Sequence, residues 1–186
     1  MDSIKHLTSL EIETAIHDVL AAPKNNGTLE MIVSRPEIDQ RHVAANGFLD
    51  TEQGLIGDNW LTRGSARTSD GRGHPEMQLN IMNFRYALLI AGSRERVPLA
   101  GDQLYVDLDL SDQNLPVGTR LSIGQALLEI TAMPHLGCKK FVTRFGIDAM
   151  KFANSEFGRD HNLRGVNAKV IEGGSIQVGD SVVILV

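Results

Sequence analysis

Arg120-Leu121-Ser122-Ile123-Gly124-Gln125-Ala126-Leu127-Leu128-Glu129-Ile130 reads as two short apolar strands joined at a tight turn. Glycine supplies the turn conformation, and the flanking residues are rich in leucine and isoleucine. The same texture extends in both directions. Leu104, Val106, Leu108 and Leu110 alternate with Tyr105, Asp107 and Asp109, the period of a half-buried strand. Met77-Gln78-Leu79-Asn80-Ile81 alternates in the same way, and Leu29-Glu30-Met31-Ile32-Val33 is a further strand. Downstream, Val166 to Ile171, Ser175 to Val178 and Ser181 to Val186 form a series with turns at Glu172-Gly173-Gly174 and Gly179-Asp180. Many short strands with glycine turns predict a mainly β protein closed into a barrel, which leaves no exposed sheet edge.

Helices are few and peripheral in this reading. Thr8 and Glu11 have capping-box spacing, and Ile12, Ile16, Val19 and Leu20 share one face of a helix that stops at Ala21-Ala22-Pro23. Its acidic polar face favours docking on the barrel over a membrane surface. Residues 1–26 are therefore expected to be a helix and hinge, and residues 27–186 the barrel domain. Asn83 to Ala91 and Ile147 to Ala153 are two further helices. Thr62 to Pro75 is a long polar loop with three glycines and three arginines.

The chain has 186 residues and a formal net charge of −5. That balance gives no basic footprint for general nucleic-acid binding. No apolar run approaches the ~20 residues that span a bilayer. The opening Met1-Asp2-Ser3-Ile4-Lys5-His6 lacks the pattern of an export leader, and the chain has one cysteine, so a cytoplasmic, reducing setting is expected.

That cysteine, Cys138, lies in Met133-Pro134-His135-Leu136-Gly137-Cys138-Lys139-Lys140-Phe141. Lysines beside a thiol favour the thiolate, the form that attacks electrophiles and binds soft metals. His135 could serve it as a base or hydrogen-bond partner. A zinc site would need more cysteines or histidines at defined spacing. A papain-like pair could use His42, His74 or His161, and nothing in the sequence selects among them. A buried core thiol is the remaining possibility. Arg164, ahead of Gly165-Val166, can offer a guanidinium fork to a phosphate or carboxylate. Gly101-Asp102 and Gly179-Asp180 read as turn chemistry.

In order along the chain, four pieces resemble the MOSC domain, named for the C-terminal part of molybdenum-cofactor sulfurases. They are Gly54-Leu55-Ile56-Gly57-Asp58; Leu115-Pro116-Val117-Gly118-Thr119-Arg120-Leu121 with Ile123-Gly124; Gly137-Cys138-Lys139-Lys140-Phe141 with Arg144-Phe145-Gly146; and Arg164-Gly165-Val166 running to Gly173-Gly174 and Gly179-Asp180. The resemblance implies a barrel of the kind inserted in pyruvate kinase, here as a stand-alone domain. It implies that Cys138 ligates molybdenum through the molybdenum cofactor (molybdopterin) or carries sulfur as a persulfide. Arg164, with Arg144, Lys139 and His135, would then hold the cofactor. One implied activity is reduction of small N-hydroxylated substrates with an electron-donor protein. The other is sulfur transfer from a separate cysteine desulfurase. A non-catalytic binding barrel with a structural cysteine is the third reading. The chain lacks the pyridoxal-phosphate domain of the sulfurases, and Asn167 stands where the family tends to carry an aromatic residue after the Arg-Gly-Val motif.

Overall fold

The computed structural model describes residues 5–185. Met1 to Ile4, part of the leader reading, and Val186, the end of the last strand reading, lie outside the described residues. In chain order the elements are α1 (Ser9–Leu20), β1 (Gly27–Ser34), β2 (His42–Ala44), β3 (Asn46–Asp50), β4 (Gly54–Leu55), α2 (Trp60–Arg63), β5 (Leu79–Asn83), α3 (Phe84–Ala91), β6 (Leu104–Asp107), β7 (Arg120–Ile123), β8 (Ala126–Ile130), α4 (Lys139–Phe145), α5 (Ile147–Asn154), α6 (Glu156–Asp160), β9 (Val166–Glu172), β10 (Gly174–Gln177) and β11 (Ser181–Leu185). Short 3-10 turns precede β5 and β6.

Seven strands close a mixed barrel in the order β11-β7-β8-β9-β5-β6-β1, with β11 pairing back onto β1. β5 and β6 run parallel, and the other neighbours are antiparallel. The β7–β8 hairpin forms as its sequence requires, with Ile123 opposite Ala126 and Gly124 at φ +55°. β10, β3 and β4 make a separate small sheet.

Two apolar layers share the barrel wall. Leu29, Leu79, Ile81, Leu104, Val106, Leu121, Leu128 and Ala168 point into the barrel. Met31, Val33, Met82 and Tyr105 point outward and meet Ile12 and Ile16 of α1, Tyr86 of α3, and Phe141 and Phe145 of α4. This two-sided cover explains a departure from the sequence reading. The strand expected over 77–81 is β5 at 79–83, and all five of its residues are buried. Met77 instead sits in the 3-10 turn Pro75–Met77. The register of β1 on β6 shifts between Leu29 and Met31, which lets Leu29 and Ile32 both face inward.

Helix α1 carries the expected capping box, with the Thr8 amide donating to Glu11 Oε2 at 2.8 Å and the Glu11 amide to Thr8 Oγ1 at 3.3 Å. Ile12, Ile16 and Val19 are buried, whereas Leu20 is exposed, because the helix ends there and turns away. Asn25 in the following turn brackets β11, donating to Ile184 O and accepting from its amide. Asn83 caps α3 through its side chain. α4 and α6 were not expected: both are short, and α4 begins directly on Cys138 with lysines rather than a capping pattern. Among the described residues no helix is long and apolar enough to cross a membrane.

Candidate functional site

Loops at the strand ends, with parts of α2 and α4, line one cavity of about 240 Å³. Arg35 follows β1, and Arg41 precedes β2. Arg63 closes α2. Ala100 and Gly101 precede β6, Cys138 and Phe141 come from the start of α4, and Arg144 comes from its last turn. Arg164, just ahead of β9, and His135 complete the wall. Cys138 is exposed, so the buried core-thiol possibility does not describe it. It occupies the N-cap position of α4 without making a side-chain capping bond, which leaves the thiol unengaged by the helix.

The cavity is built from cations whose ties differ. Arg35 is locked: Nε and NH2 donate to the two oxygens of Asp58 at 2.8 and 2.9 Å, while NH1 donates to Asn80 Oδ1 and Gly101 O. Both side chains of this ion pair are buried. Arg164 is locked in the same manner, with NH1 on both oxygens of Asp102 at 2.7 and 2.9 Å and NH2 on Ala100 O. Its guanidinium also lies 4.9 Å above the Phe141 ring, a cation–π contact. Arg144 and Lys140 share Asp39 at the surface. Arg41 and Arg63 have no carboxylate within ion-pair distance among the described residues. Burial and then the neighbouring guanidiniums lower the proton affinity of both. The result is an excess of positive charge around the thiol on a chain whose net charge is −5.

Three buried polar atoms on the cavity wall have no hydrogen-bond partner among the described residues: Arg164 Nε, His135 Nδ1 and Asn59 Oδ1. Buried polar groups are paired in nearly all native structures, so this cluster leaves donors and acceptors open to a ligand or water. His135 Nδ1 lies 3.4 Å from Asp102 Oδ1. Desolvation, then the charges of Arg164 and Arg35, hold its imidazole well below the usual histidine range, so the ring is neutral at pH 7.

A second cavity, about 280 Å³, is lined by the Thr131–Leu136 segment and shares His135 and Arg164 with the first. A buried polar chain ties this segment to the arginines. Asn80 Nδ2 donates to Asn167 Oδ1 at 2.6 Å, and Asn167 Nδ2 donates to Met133 O at 2.9 Å. Asn80 in turn accepts from Arg35. Asn167 is fully buried, and as a polar link in the barrel wall it does work that an aromatic side chain there could not do.

Of the residues singled out in the sequence, the structure brings Cys138, Arg164, Arg144 and His135 together around one cavity. Lys139 is exposed outside that lining, and Lys140 takes the place expected of it. His42, His74 and His161 do not line the cavity, so a papain-like pairing finds no histidine there other than His135. The Gly101-Asp102 reading needs correction: Gly101 does turn, at φ +91°, but the Asp102 side chain is the buried partner of Arg164. Gly179-Asp180 is a turn as expected, with Asp180 accepting from the Gln177 amide. Arg35, Arg41 and Arg63 were missed. Nothing local distinguishes an arginine after a strand from a surface one; only Asp58, within the quoted Gly54-to-Asp58 piece, hinted that a partner was needed.

The family model of the MOSC domain matches residues 58–183. No curated protein matches the sequence. Among solved structures, the YuaD protein from Bacillus subtilis is similar at 15% identity, covering 84% of this chain and 94% of that one, with a TM-score of 0.63. YiiM from Escherichia coli is similar at 20% identity over 86% of this chain and 70% of that one, with a TM-score of 0.54. YiiM from Geobacillus stearothermophilus is similar at 13% identity over 87% and 73%, with a TM-score of 0.51. Those likenesses establish the barrel fold, and the family match takes in the Asp58–Arg35 clamp's carboxylate, Cys138 and Arg164: the chain belongs to the MOSC domain family.

Proposed function

We propose that this protein binds the molybdenum cofactor, with Cys138 as the protein's ligand to the metal, and reduces small N-hydroxylated substrates. The MOSC family is generally linked to molybdenum-cofactor binding. The observation that carries the reading is the cavity itself: an exposed thiol beside Arg41 and Arg63, which have no ion-pair partner among the described residues, and the orphaned Arg164 Nε. These residues fit the group. A soft sulfur donor suits molybdenum, and guanidiniums suit the phosphate of the pterin. When bound, the cofactor would supply two-electron redox chemistry.

The chain's own residues have separable tasks. Cys138 gives the soft donor. Arg41 and Arg63, with no carboxylate within ion-pair distance among the described residues, bind the anionic end. Arg35 and Arg164 are fixed by Asp58 and Asp102, so they shape the wall and contribute field, while Arg164 keeps Nε as a free donor. His135, neutral and shared between the two cavities, offers a hydrogen-bonding ring rather than a second positive charge. Electrons would come from a separate donor protein, and a reducing, cytoplasmic setting would keep the lone thiol free. The test is purification from a host that makes the cofactor, followed by metal analysis and detection of the oxidised pterin. Molybdenum and pterin in equal amounts, near one per chain, support the reading; their joint absence contradicts it.

A second reading draws on the same exposure of Cys138. An accessible thiol in a cationic setting can accept sulfane sulfur from a desulfurase as a persulfide and pass it on. Intact mass after incubation with a cysteine desulfurase and cysteine would show one added sulfur, lost in Cys138→Ser.

A further inference from the structure

The segment that carries Cys138 to its cavity, Thr131 to Gly137, forms no helix or strand. Ala132, Pro134 and Leu136 are exposed, so apolar packing does little to hold it. Two asparagines pin its ends. At the start, the Thr131 amide donates to Asn167 O at 3.0 Å and Asn167 Nδ2 donates to Met133 O. At the far end, the Gly137 amide donates to Asn154 Oδ1 at 2.9 Å, and Asn154 Nδ2 donates back to Gly137 O at 3.1 Å. One side-chain amide thus pairs both backbone polar groups of the residue before the thiol, as a neighbouring strand would. The pairing is close: a Cβ on Gly137 would sit 3.0 Å from Met150 Cγ and 3.4 Å from Asn154 Oδ1. Asn154 is the last residue of α5, which is anchored in the helical layer by buried Ala149 and Ala153. Asn154 Nδ2 also lies 3.2 Å from Met150 Sδ one turn earlier.

We propose that Asn154 is a positioning residue that holds the Cys138 thiol inside the arginine cavity by gripping the Gly137 peptide. The proposal rests on the reading of Cys138 as the reactive thiol, and it needs neither bound metal nor substrate. Without the clamp, the stretch between His135 and α4 loses the two backbone bonds nearest the thiol, and the thiol is freer to leave the positive field.

The experiment compares alkylation of Cys138 by anionic iodoacetate and neutral iodoacetamide. The rate ratio reports the field at the thiol, since local cations speed encounter with an anion. In Asn154→Ala the ratio is expected to fall about threefold or more toward that of a free cysteine peptide. Asn154→Ser, a milder change, is expected to follow it and serves where the alanine variant does not fold. Met150→Leu, which leaves both bonds to Gly137 available, is expected to keep the native ratio. In the native protein the Gly137 amide is expected to exchange with solvent more slowly than that of Leu136, a measurement that needs no variant. An unchanged ratio in a folded Asn154 variant, or Gly137 exchange as fast as Leu136, overturns the proposal. Inorganic phosphate is expected to slow iodoacetate at the native thiol. Its failure to do so, with the Asn154 effect intact, would count against the anion-binding reading of the cavity and not against the clamp.

Discussion

Asp58 and Arg35 form a two-point ion pair at the end of the barrel, with Nε on one carboxylate oxygen and NH2 on the other. Asp58 also accepts from the Arg35 backbone amide at 2.9 Å and the Trp60 amide at 2.9 Å, so one carboxylate fixes the end of β1, the start of α2 and the direction of a cavity arginine. Removing one partner of a buried pair strands the other charge. Asp58→Ala is therefore expected to cost about 3–5 kcal/mol, read as a lower urea midpoint with little change in slope. A cost below about 1 kcal/mol would place the pair among surface ion pairs and contradict this account of the wall.

Arg41 and Arg63 should behave in the opposite way. Neither has a carboxylate within ion-pair distance among the described residues, and burial and then the other arginines disfavour the charge of each. The Arg41→Ala/Arg63→Ala double variant is expected to keep or slightly exceed native stability, by at most about 1 kcal/mol. It should lose about tenfold or more in affinity for inorganic phosphate, by calorimetry at low salt. A large loss of stability with unchanged phosphate binding would make these residues structural.

His135 predicts a pH dependence. Its imidazole is held neutral in the fold, below the free value of about 6.5. Below that pH the unfolded chain takes up a proton that the folded chain refuses, so stability is lost as pH falls from about 6.5 toward the folded value. Above that window the contribution is constant. Denaturation curves between about pH 5 and 7.5 should show the native protein losing stability by up to about 1.4 kcal/mol per unit. His135→Gln should flatten that slope, and an unchanged slope would mean that the ring is not buried neutral.

The barrel was legible because its signal is local: β7, β8, β9 and β11 alternate or run apolar between glycine turns, and α1 announces its start at Thr8. β5 was misplaced by two residues because Asn80 and Asn83 look like solvent-facing positions, whereas both are buried in hydrogen-bond networks. Cys138 could be found from its neighbours in the chain. Its partners could not, because Asp58 reaches Arg35 across 23 residues and Asp102 reaches Arg164 across 62. Such pairing is a property of the closed barrel, not of any segment. Lys139 shows the converse: adjacency to the thiol put it on the candidate list, and the first turn of α4 leaves it exposed outside the cavity lining.

The central claim is that Cys138 holds the metal and that the surrounding arginines hold the pterin's anionic end. Its most direct test is molybdenum and pterin content of native protein and Cys138→Ser, purified side by side from a cofactor-producing host at matched folding. The account predicts near-stoichiometric molybdenum in the native protein. It predicts a loss of about tenfold or more in Cys138→Ser. Equal molybdenum in both proteins would contradict the assignment of Cys138 as the ligand.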